Sequence, residues 1–324
     1  FGSALMQDGR ILVAGGRTGA ALNATNSCEI FDPSTNEVTQ AAPMSNIRLS
    51  FDLVTLPNGH VMAIGGFNGS SSLTACEVYD PQTDEWSPTG SLNSASNQYT
   101  VAWLTDTALL KMGGNDPFGG TGCEIYDTGT GQWTVAPSMN TSRHSHTCTR
   151  LASGDIIVAG GYSFTSSVEV FDAGTRTWSM IGNLPHALDN LASALLPDGR
   201  VIFTGGNIWS GVHYQYSDVT FYNPATGQLT SGPSMLKERT SHRMVVTPSG
   251  KVLAISGGAG PELDPIKDCE IFDPSTAEWS IAPPLNEGRR HFEAIQTGSR
   301  VFCIGGIGQN GDLTSIESLD LSDM

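Results

Sequence analysis

The sequence predicts an all-β protein built from seven repeated units, and three observations support this prediction. A pair of adjacent glycines recurs along the whole chain at intervals of 45 to 52 residues. Each pair is followed by a run that resembles Glu77-Val78-Tyr79-Asp80-Pro81, and most of these runs are followed by a tryptophan. A repeat of this length cannot bury its apolar face alone, so the units must stack against one another. The pairs are Gly15-Gly16, Gly65-Gly66, Gly113-Gly114, Gly160-Gly161, Gly205-Gly206, Gly257-Gly258 and Gly305-Gly306.

Each unit contains four predicted strands, as residues 48–92 illustrate. Residues 50–56 and 60–64 predict two strands joined by the tight turn Asn58-Gly59, because both turn residues adopt positive φ readily. Residues 75–79 and 85–88 predict a third strand and an edge-like fourth strand. Four antiparallel strands per unit, stacked radially, describe the blades of a propeller. The sequence therefore predicts a seven-bladed β-propeller with essentially no helix.

The repeated motif resembles the kelch repeat. It combines the glycine pair, the Glu-Val-Tyr-Asp-Pro run and a tryptophan six residues after the aspartate, at Asp80/Trp86, Asp127/Trp133, Asp172/Trp178 and Asp273/Trp279. Two units depart from it: Val38 and Leu229 stand at the tryptophan position, and Asn223 stands at the aspartate position. We expect loose outer strands there rather than missing blades. The resemblance covers the whole chain and implies a propeller that binds its partner through the loops of one face.

We expect one propeller domain over residues 1–324. The seventh unit reaches only its third strand, because its tryptophan position would fall beyond Met324. We therefore expect the last blade to lack its fourth strand within this chain, and the chain to be part of a longer multidomain protein. The expected blades are about 1–46, 47–94, 95–141, 142–187, 188–237, 238–287 and 288–324.

Charge and composition exclude some partners. The net charge of −16 argues against a nucleic-acid partner and against an anionic membrane surface. No run of eighteen apolar residues occurs, so no membrane span is predicted. Four of the six cysteines hold the same repeat position in different units, which indicates small buried side chains rather than disulfides. Free thiols favour the cytoplasm, whereas the sequons at Asn23, Asn68 and Asn140 keep an extracellular location as the alternative.

Length variation between the units locates the candidate binding face. The distance from the glycine pair to the next aspartate position varies from 12 to 18 residues, so insertions collect between the second and third strands. In an antiparallel blade that loop lies on the same face as the connection between blades, and surface loops carry function. The candidate binding residues on these loops are Arg17, Arg48, Arg143, His144, His146, Trp209, His213, Tyr214, Arg239, His242, Arg289 and Arg290.

Two interpretations of the arginines remain open. They form a ring that binds the carboxylates or phosphates of an acidic partner, or they belong to the repeat and bind its glutamates or backbone carbonyls. Arg290 is additional to the repeat and favours the first interpretation. Likewise, Trp209 and Tyr214 in the longest variable loop either recognise a peptide or sugar or bury each other at the blade rim.

The sequence favours a non-catalytic recognition module for a protein or peptide, preferably an acidic one. No cofactor and no metal are predicted. Some propellers that resemble kelch proteins are copper radical oxidases similar to galactose oxidase, and this enzyme class is an alternative function. His144, His146 and Cys148 lie close in sequence, but no tyrosine or further ligand follows at a defined spacing. Carbohydrate binding through Trp209 and Tyr214 is the third possibility.

Overall fold

The protein is all-β, as a computed structural model of residues 1–19, 23–117, 119–163 and 165–324 shows. Those residues form strands and turns, and among them there is no helix long and apolar enough to cross a membrane. Seven blades follow one another along the chain, six with four antiparallel strands and the last with three. The predicted seven-bladed β-propeller with an incomplete last blade is confirmed. The chain forms two compact units, Phe1–His144 (unit 1) and Ser145–Met324 (unit 2).

Unit 1 contains blades 1 to 3, and in each blade the strands pair in sequence order. Blade 1 consists of β1 (Gly2–Leu5), β2 (Ile11–Ala14), β5 (Cys28–Asp32) and β6 (Glu37–Ala41), with the small hairpin β3 (Arg17–Thr18) and β4 (Asn23–Ala24). Blade 2 consists of β7 (Asp52–Thr55), β8 (Val61–Ile64), β9 (Glu77–Asp80) and β10 (Glu85–Pro88). Blade 3 consists of β11 (Thr100–Thr105), β12 (Ala108–Met112), β13 (Cys123–Asp127) and β14 (Gln132–Ala136).

Unit 2 contains blades 4 to 7. Blade 4 consists of β15 (Thr147–Arg150), β16 (Ile156–Ala159), β17 (Ser167–Asp172) and β18 (Thr177–Asn183). Blade 5 consists of β19 (Ala192–Leu195), β20 (Val201–Thr204), β23 (Val219–Asn223) and β24 (Gln228–Ser231), with the hairpin β21 (Asn207–Trp209) and β22 (His213–Gln215). Blade 6 consists of β25 (Arg243–Val246), β26 (Val252–Ile255), β29 (Cys269–Asp273) and β30 (Glu278–Ala282), with β27 (Gly258–Ala259) and β28 (Asp264–Pro265). Blade 7 consists of β31 (Glu293–Thr297), β32 (Arg300–Ile304) and β35 (Ile316–Asp320), with β33 (Ile307–Gly308) and β34 (Gly311–Asp312).

The core lies between neighbouring blades. The second strands β8, β16, β20 and β26 are buried along their full length, which explains why they are almost continuously apolar. One cluster joins Leu12 and Ile30 of blade 1 to Ala63 and Tyr79 of blade 2. The described residues contain no disulfide, and the four cysteines at the start of the third strands are buried as predicted: Cys28, Cys76, Cys123 and Cys269.

The second glycine of each pair is required by a close backbone approach. Gly66 has a φ of 97°, and a Cβ at this position would lie 2.7 Å from Cβ of Phe51. Only glycine fits such a position without strain. The N–H of Gly66 donates to the carbonyl of Ser96, at the segment that enters blade 3, with a distance of 2.9 Å. The glycine pair therefore ties each blade to the next.

The sixth pair lies one residue earlier than predicted. Gly257 makes the equivalent bond, to the carbonyl of Arg289 at 2.9 Å, and Ser256 has a φ of 53°, similar to the first glycines of other pairs. Gly258 instead begins β27. The run Ser-Gly-Gly permits two registers, and the backbone hydrogen bond shows that Ser256-Gly257 is the pair.

The repeated aspartate closes the turn before the outer strand. Asp80 Oδ1 accepts a hydrogen bond from the N–H of Gln82 at 2.8 Å, as expected for an Asx turn. Asn223 Oδ1 accepts the equivalent bond from Ala225 at 3.0 Å, so asparagine replaces aspartate without loss of the turn. Val38 and Leu229 lie in β6 and β24, which are outer strands of complete blades as expected.

Variable loops and the segments that enter the blades lie side by side. In unit 2 isolated bridges pair Asp189 with Asn207, Thr240 with Gly258, and Arg290 with Ile307. Each bridge joins the segment that enters a blade to the start of the loop between the second and third strands of that blade. The antiparallel order of the strands therefore brings both kinds of loop to the same end of each sheet.

Candidate functional site

Arg48 is a buried residue that pairs with the repeated glutamate of its own blade. Its Nη2 donates to Glu77 Oε1 at 2.5 Å, and its Nη1 donates to the carbonyls of Gly65 at 2.6 Å and Ala75 at 3.0 Å. The exposed fraction of Arg48 is 0%. The guanidinium thus has protein partners at both terminal nitrogens. It connects the segment that enters blade 2 to the third strand of the same blade.

The carboxylate of Glu77 is kept ionised by this environment. Burial alone would raise the pKa of Glu77, but hydrogen bonds from Asn46 and Ser45 and the charge of Arg48 outweigh burial and lower it. Buried ion pairs are tolerated only when hydrogen bonds also satisfy the remaining lone pairs, and here backbone N–H groups do so. The pair therefore belongs to the scaffold.

Blades 6 and 7 repeat this arrangement. Arg239 Nη2 lies 2.5 Å from Glu270 Oε1, and Arg289 Nη2 lies 2.6 Å from Glu317 Oε1. Both arginines and Arg143 have no exposed surface. We therefore correct the predicted site: Arg48, Arg143, Arg239 and Arg289 lie in the interior, where they cannot meet a ligand on the surface. The interpretation as part of the repeat describes Arg48, Arg239 and Arg289.

The predicted histidines in the segments between blades are also largely interior. His242 is 1% exposed, and its Nε2 lies 2.9 Å from Thr204 Oγ1. Burial, with the nearby charges of Arg239 and Arg243, lowers the pKa of His242 well below its usual value, so it is neutral at pH 7. His146 is 6% exposed, and burial lowers the pKa of His144. Arg17 is half-buried on β3 of unit 1.

The hairpin β21–β22 of blade 5 gives a different picture. Trp209 and Tyr214 are 44% and 54% exposed, and Val212 between them is 42% exposed. The Trp209 and His213 rings face each other across the hairpin with their centroids 4.6 Å apart. The structure thus brings three predicted residues together on one hairpin, with Trp209 and His213 on one face and Tyr214 on the other. The rings of Trp209 and Tyr214 are therefore not buried against each other.

A buried polar network supports the base of this hairpin. Asn207 is 2% exposed, and its side chain accepts a hydrogen bond from Thr240 Oγ1 at 2.6 Å and contacts His213 Nδ1 at 3.3 Å. The backbones of Asn207 and Asp189 exchange two hydrogen bonds of 3.0 Å. The network therefore fixes where the hairpin leaves blade 5 and how the ring of His213 is held.

Asp189 at the edge of this network was not predicted. Its Oδ1 is buried and, among the residues that the structure describes, makes no hydrogen bond. Burial raises the pKa of Asp189 to about 6. A desolvated carboxyl of this kind is characteristic of functional sites. One signal in the sequence could have found it: Asp189 directly follows Leu188, which replaces the arginine of the repeat.

Arg290 and Glu262 lie close to the hairpin. Burial lowers the pKa of His213, the charge of Arg290 lowers it further, and the charge of Glu262 opposes both. Arg290 is half-buried, and the segment around it pairs with Ile307 through hydrogen bonds of 3.0 and 2.8 Å. We call the residues Trp209, Val212, His213, Tyr214 and Arg290 the hairpin patch.

Sequence reasoning also missed a chain of left-handed residues in the segments that enter the blades. Asn190, Ser241 and His291 have φ values of 50°, 52° and 51°. Their N–H groups donate in turn to the carbonyls of Ser145, Asn190 and Ser241, at 3.0, 2.9 and 3.3 Å. This conformation is uncommon for serine, so the sequence carries little signal for it. The bonds link the four entry segments of unit 2.

The residues considered for copper do not assemble a ligand set. Within residues 1–19, 23–117, 119–163 and 165–324, no three side chains of His, Cys, Asp or Glu are grouped to hold a metal ion. His146 is buried at the start of unit 2, and Cys148 is half-buried on β15 and forms no disulfide with another described residue.

Comparisons with known proteins agree with this fold. The model of the kelch motif matches residues 2–45, 54–93 and 144–185. Kelch domain-containing protein 8B of Mus musculus is 31% identical over 140 residues, which are 41% of this chain and 39% of that protein. An F-box/kelch-repeat protein of Arabidopsis thaliana is 30% identical over 110 residues, which are 34% of this chain and 23% of that protein. The matches thus span less than half the length of these curated relatives.

Solved structures with the same fold include an enzyme. A fungal alcohol oxidase of the AA5 family, in complex with copper, superposes with a TM-score of 0.78 at 17% identity, over 96% of this chain and 71% of the oxidase. The structure of YjhT superposes with a TM-score of 0.66 at 12% identity, over 87% of this chain and 96% of YjhT. At such identities the similarity shows the fold alone.

The seven blades define a β-propeller. The repeated arginine–glutamate pairs are buried and stabilise the fold. Three stretches of the chain match the kelch motif, and the chain folds as a seven-bladed β-propeller.

Proposed function

We propose that this protein is a non-catalytic recognition module that binds a protein or peptide at the hairpin patch. The observation that supports the proposal is the exposure of Trp209, Val212 and Tyr214 on one short hairpin above a buried polar base. Exposed aromatic side chains on a fixed element are typical anchors of protein interfaces. Because Asn207 and Thr240 hold the hairpin, little conformational entropy is lost when a partner binds.

The proposed preference for an acidic partner now rests on one arginine, Arg290. A ring of arginines cannot attract a carboxylate, since four of its members are interior. Arg290 is the arginine of the hairpin patch, and a guanidinium can bind one carboxylate in a bidentate manner. We therefore propose a ligand segment that places an apolar or aromatic side chain on Trp209 and one acidic side chain near Arg290, while Tyr214 offers a second anchor on the other face of the hairpin.

Selection of peptides against the whole chain tests the patch directly. Peptides from a display library would be titrated calorimetrically into the wild type, Trp209→Ala/Tyr214→Ala and Ile281→Ala. Ile281 is 83% exposed on the outer strand β30 and serves as the matched apolar control. We expect a loss of at least about tenfold for the hairpin variant and less than about twofold for the control. Equal affinity of all three proteins would refute the patch.

The acidic preference has its own test. In a double-mutant cycle, Arg290→Gln is combined with replacement of the acidic peptide residue by its amide. A coupling of about fivefold or more supports the contact with Arg290. Additive effects would show that the partner need not be acidic, while the hairpin proposal would stand.

Carbohydrate binding is the second candidate, because exposed Trp and Tyr rings also stack on sugars. A glycan array probed with the wild type and with Trp209→Ala distinguishes it from peptide binding: signals lost in the variant favour a sugar. For location we propose the cytoplasm, on the basis of the free, buried cysteines. We also propose that further domains accompany the propeller in the whole protein.

A further inference from the structure

Blade 3 departs from the repeat at the position of the buried arginine. The carbonyl of Ser96 accepts the hydrogen bond from Gly66, just as the carbonyl of Arg48 accepts the one from Gly16, so Ser96 stands where blade 2 has Arg48. The repeated glutamate is nevertheless present as Glu124 and is 4% exposed. Blade 3 therefore keeps the carboxylate without the guanidinium that accompanies it in blades 2, 6 and 7.

Glu124 is positioned as its equivalents are. Oε2 accepts hydrogen bonds from the backbone N–H and the side-chain amide of Asn93, each at 2.7 Å, and Oε1 accepts one from the N–H of Ser94 at 3.1 Å. Glu77 accepts the same two backbone bonds, from Ser45 and Asn46. The carboxylate of blade 3 thus points to the region in which Arg48 lies in blade 2.

A cavity of about 110 Å³ opens at this point in blade 3. Its inner part is formed by buried charged side chains and its outer part by exposed residues, so it opens to solvent. Its volume approaches that of cavities that hold benzene, about 150 Å³, and exceeds the space that one water needs. The lining residues are Asn93, Ser94, Lys111, Asp116, Gly122, Cys123, Glu124, Val135 and Ser138.

The cavity contains oxygen atoms that can accept a hydrogen bond from a ligand. Ser94 is 9% exposed, and its Oγ makes no hydrogen bond within the described part of the chain. Gly122 has the same place in blade 3 as Asp268 has in blade 6, because the carbonyl of each accepts a bond from the first residue of its pair. The carbonyl of Asp268 is a partner of the Arg239 guanidinium, at 3.0 Å. The cavity therefore has acceptors like those that bind a guanidinium elsewhere in the protein.

The charges in the cavity favour a cation. Lys111 Nζ lies 3.6 Å from Asp116 Oδ2, and both side chains are almost fully buried. Burial lowers the pKa of Lys111 despite the attraction of Asp116 and Glu124. One ammonium thus faces two carboxylates, whereas in blade 2 Arg48 and Glu77 balance each other. Buried carboxylates are stabilised by cations that donate hydrogen bonds to them, so the cavity favours a positively charged ligand over an anion.

We propose that the blade 3 cavity binds a guanidinium group beside Glu124. The group would donate to the Glu124 carboxylate, the Gly122 carbonyl and Ser94 Oγ, in the manner of the built-in arginines of blades 2 and 6. An arginine side chain of a partner and a free guanidino compound share this chemistry. The site lies in unit 1 and is independent of the hairpin patch.

Ethylguanidinium and ethylammonium, each at up to about 20 mM, would be titrated into the whole chain and monitored by NMR or thermal shift. Both carry one charge, but only the planar guanidinium can bind a carboxylate and a carbonyl together. We expect saturable binding of ethylguanidinium with at least about fivefold preference. Equal responses to the two ions, or no saturable response, would overturn the proposal.

The double variant Ser96→Arg/Lys111→Ala provides the matched control, because it installs the pair that blade 2 has in Arg48 and Ala63. It should fold at least as stably as the wild type and should lose the response to ethylguanidinium. An unchanged response would show that the ion binds elsewhere. If the variant does not fold, the comparison of the two ions in the wild type decides the matter.

A third arm distinguishes the two sources of the group. The capped tripeptide Gly-Arg-Gly would bind at least as well as ethylguanidinium if the cavity receives the side chain of a partner. Binding of ethylguanidinium alone would instead indicate a free small molecule. Gly-Lys-Gly serves as the control, and binding equal to that of the arginine peptide would contradict a guanidinium site.

Discussion

Two regions of unit 2 were both predicted to bind a partner, but one is buried in the scaffold and the other is exposed. Arg239 and Arg289 are buried, paired with glutamates and repeated in other blades. Small hairpins also follow the second strands of blades 1, 6 and 7, but β21–β22 presents two large aromatic side chains, Trp209 and Tyr214, to solvent. The difference teaches that in a repeat protein a charge that recurs with the repeat belongs to the scaffold. A side chain that occurs once is the better candidate for recognition.

The largest expected effect is on the scaffold. Arg239→Met leaves the Glu270 carboxylate buried without its guanidinium, which costs about 3–5 kcal/mol of the free energy of unfolding. Chemical denaturation monitored by fluorescence measures the loss. Arg200→Gln is the control, because it removes an exposed pair with Asp198 and should cost less than about 1 kcal/mol. A loss below about 1 kcal/mol for Arg239→Met would show that the buried pair contributes no more to stability than a surface pair does.

Removal of the Asp189 charge from the network beneath the hairpin patch should increase the free energy of unfolding, whereas Arg239→Met lowers it. The pKa of Asp189 is raised to about 6 in the folded state, above the usual 3.8, so the fold binds this proton more tightly than the unfolded chain does. The stability that depends on the proton is present below pH 3.8 and is lost as the pH rises through 6. Asp189→Asn should therefore be more stable than the wild type by about 1–2 kcal/mol at pH 8, after allowance for partial exposure.

Denaturation curves at several pH values between 4 and 8 test this sign. The advantage of Asp189→Asn should shrink as the pH approaches 4. A variant that is less stable than the wild type at pH 8 would show that the carboxylate is part of the scaffold. Asp198→Asn, whose carboxyl is exposed and has a lowered pKa, should show no advantage at pH 8.

A smaller effect is expected at the link between blades 1 and 2. Trp86 packs against Tyr79 with ring centroids 5.2 Å apart and donates its Nε1 to the carbonyl of Ala42 at 2.9 Å. Trp86→Phe keeps an aromatic ring but removes this bond, at a cost of about 1 kcal/mol. Thermal denaturation detects it. Trp133→Phe is the control, because Nε1 of Trp133 makes no hydrogen bond within the described residues; an equal loss there would assign the effect to ring size.

The fold could be predicted from the sequence because its signals are local and repeated. The turn at Asp80, the glycine at position 66 and the alternating strands each follow from residues close together in the chain. The role of the arginines could not be decided in this way. Arg239 and Glu270 are 31 residues apart, and only the sheet brings them to 2.5 Å. The desolvation of Asp189 and the cavity beside Glu124 likewise arise from packing, which residue spacing does not encode.

The contrast between repeated scaffold and unique surface is tested most directly by hydrogen exchange of the wild type with and without a peptide selected by display. Binding at the hairpin patch should slow exchange of backbone amides in residues 207–215 and around Arg290. Amides of the outer strands β24 and β30 should exchange as before. Protection of the outer strands, or of unit 1 alone, with unchanged exchange in the hairpin would contradict the proposed recognition surface.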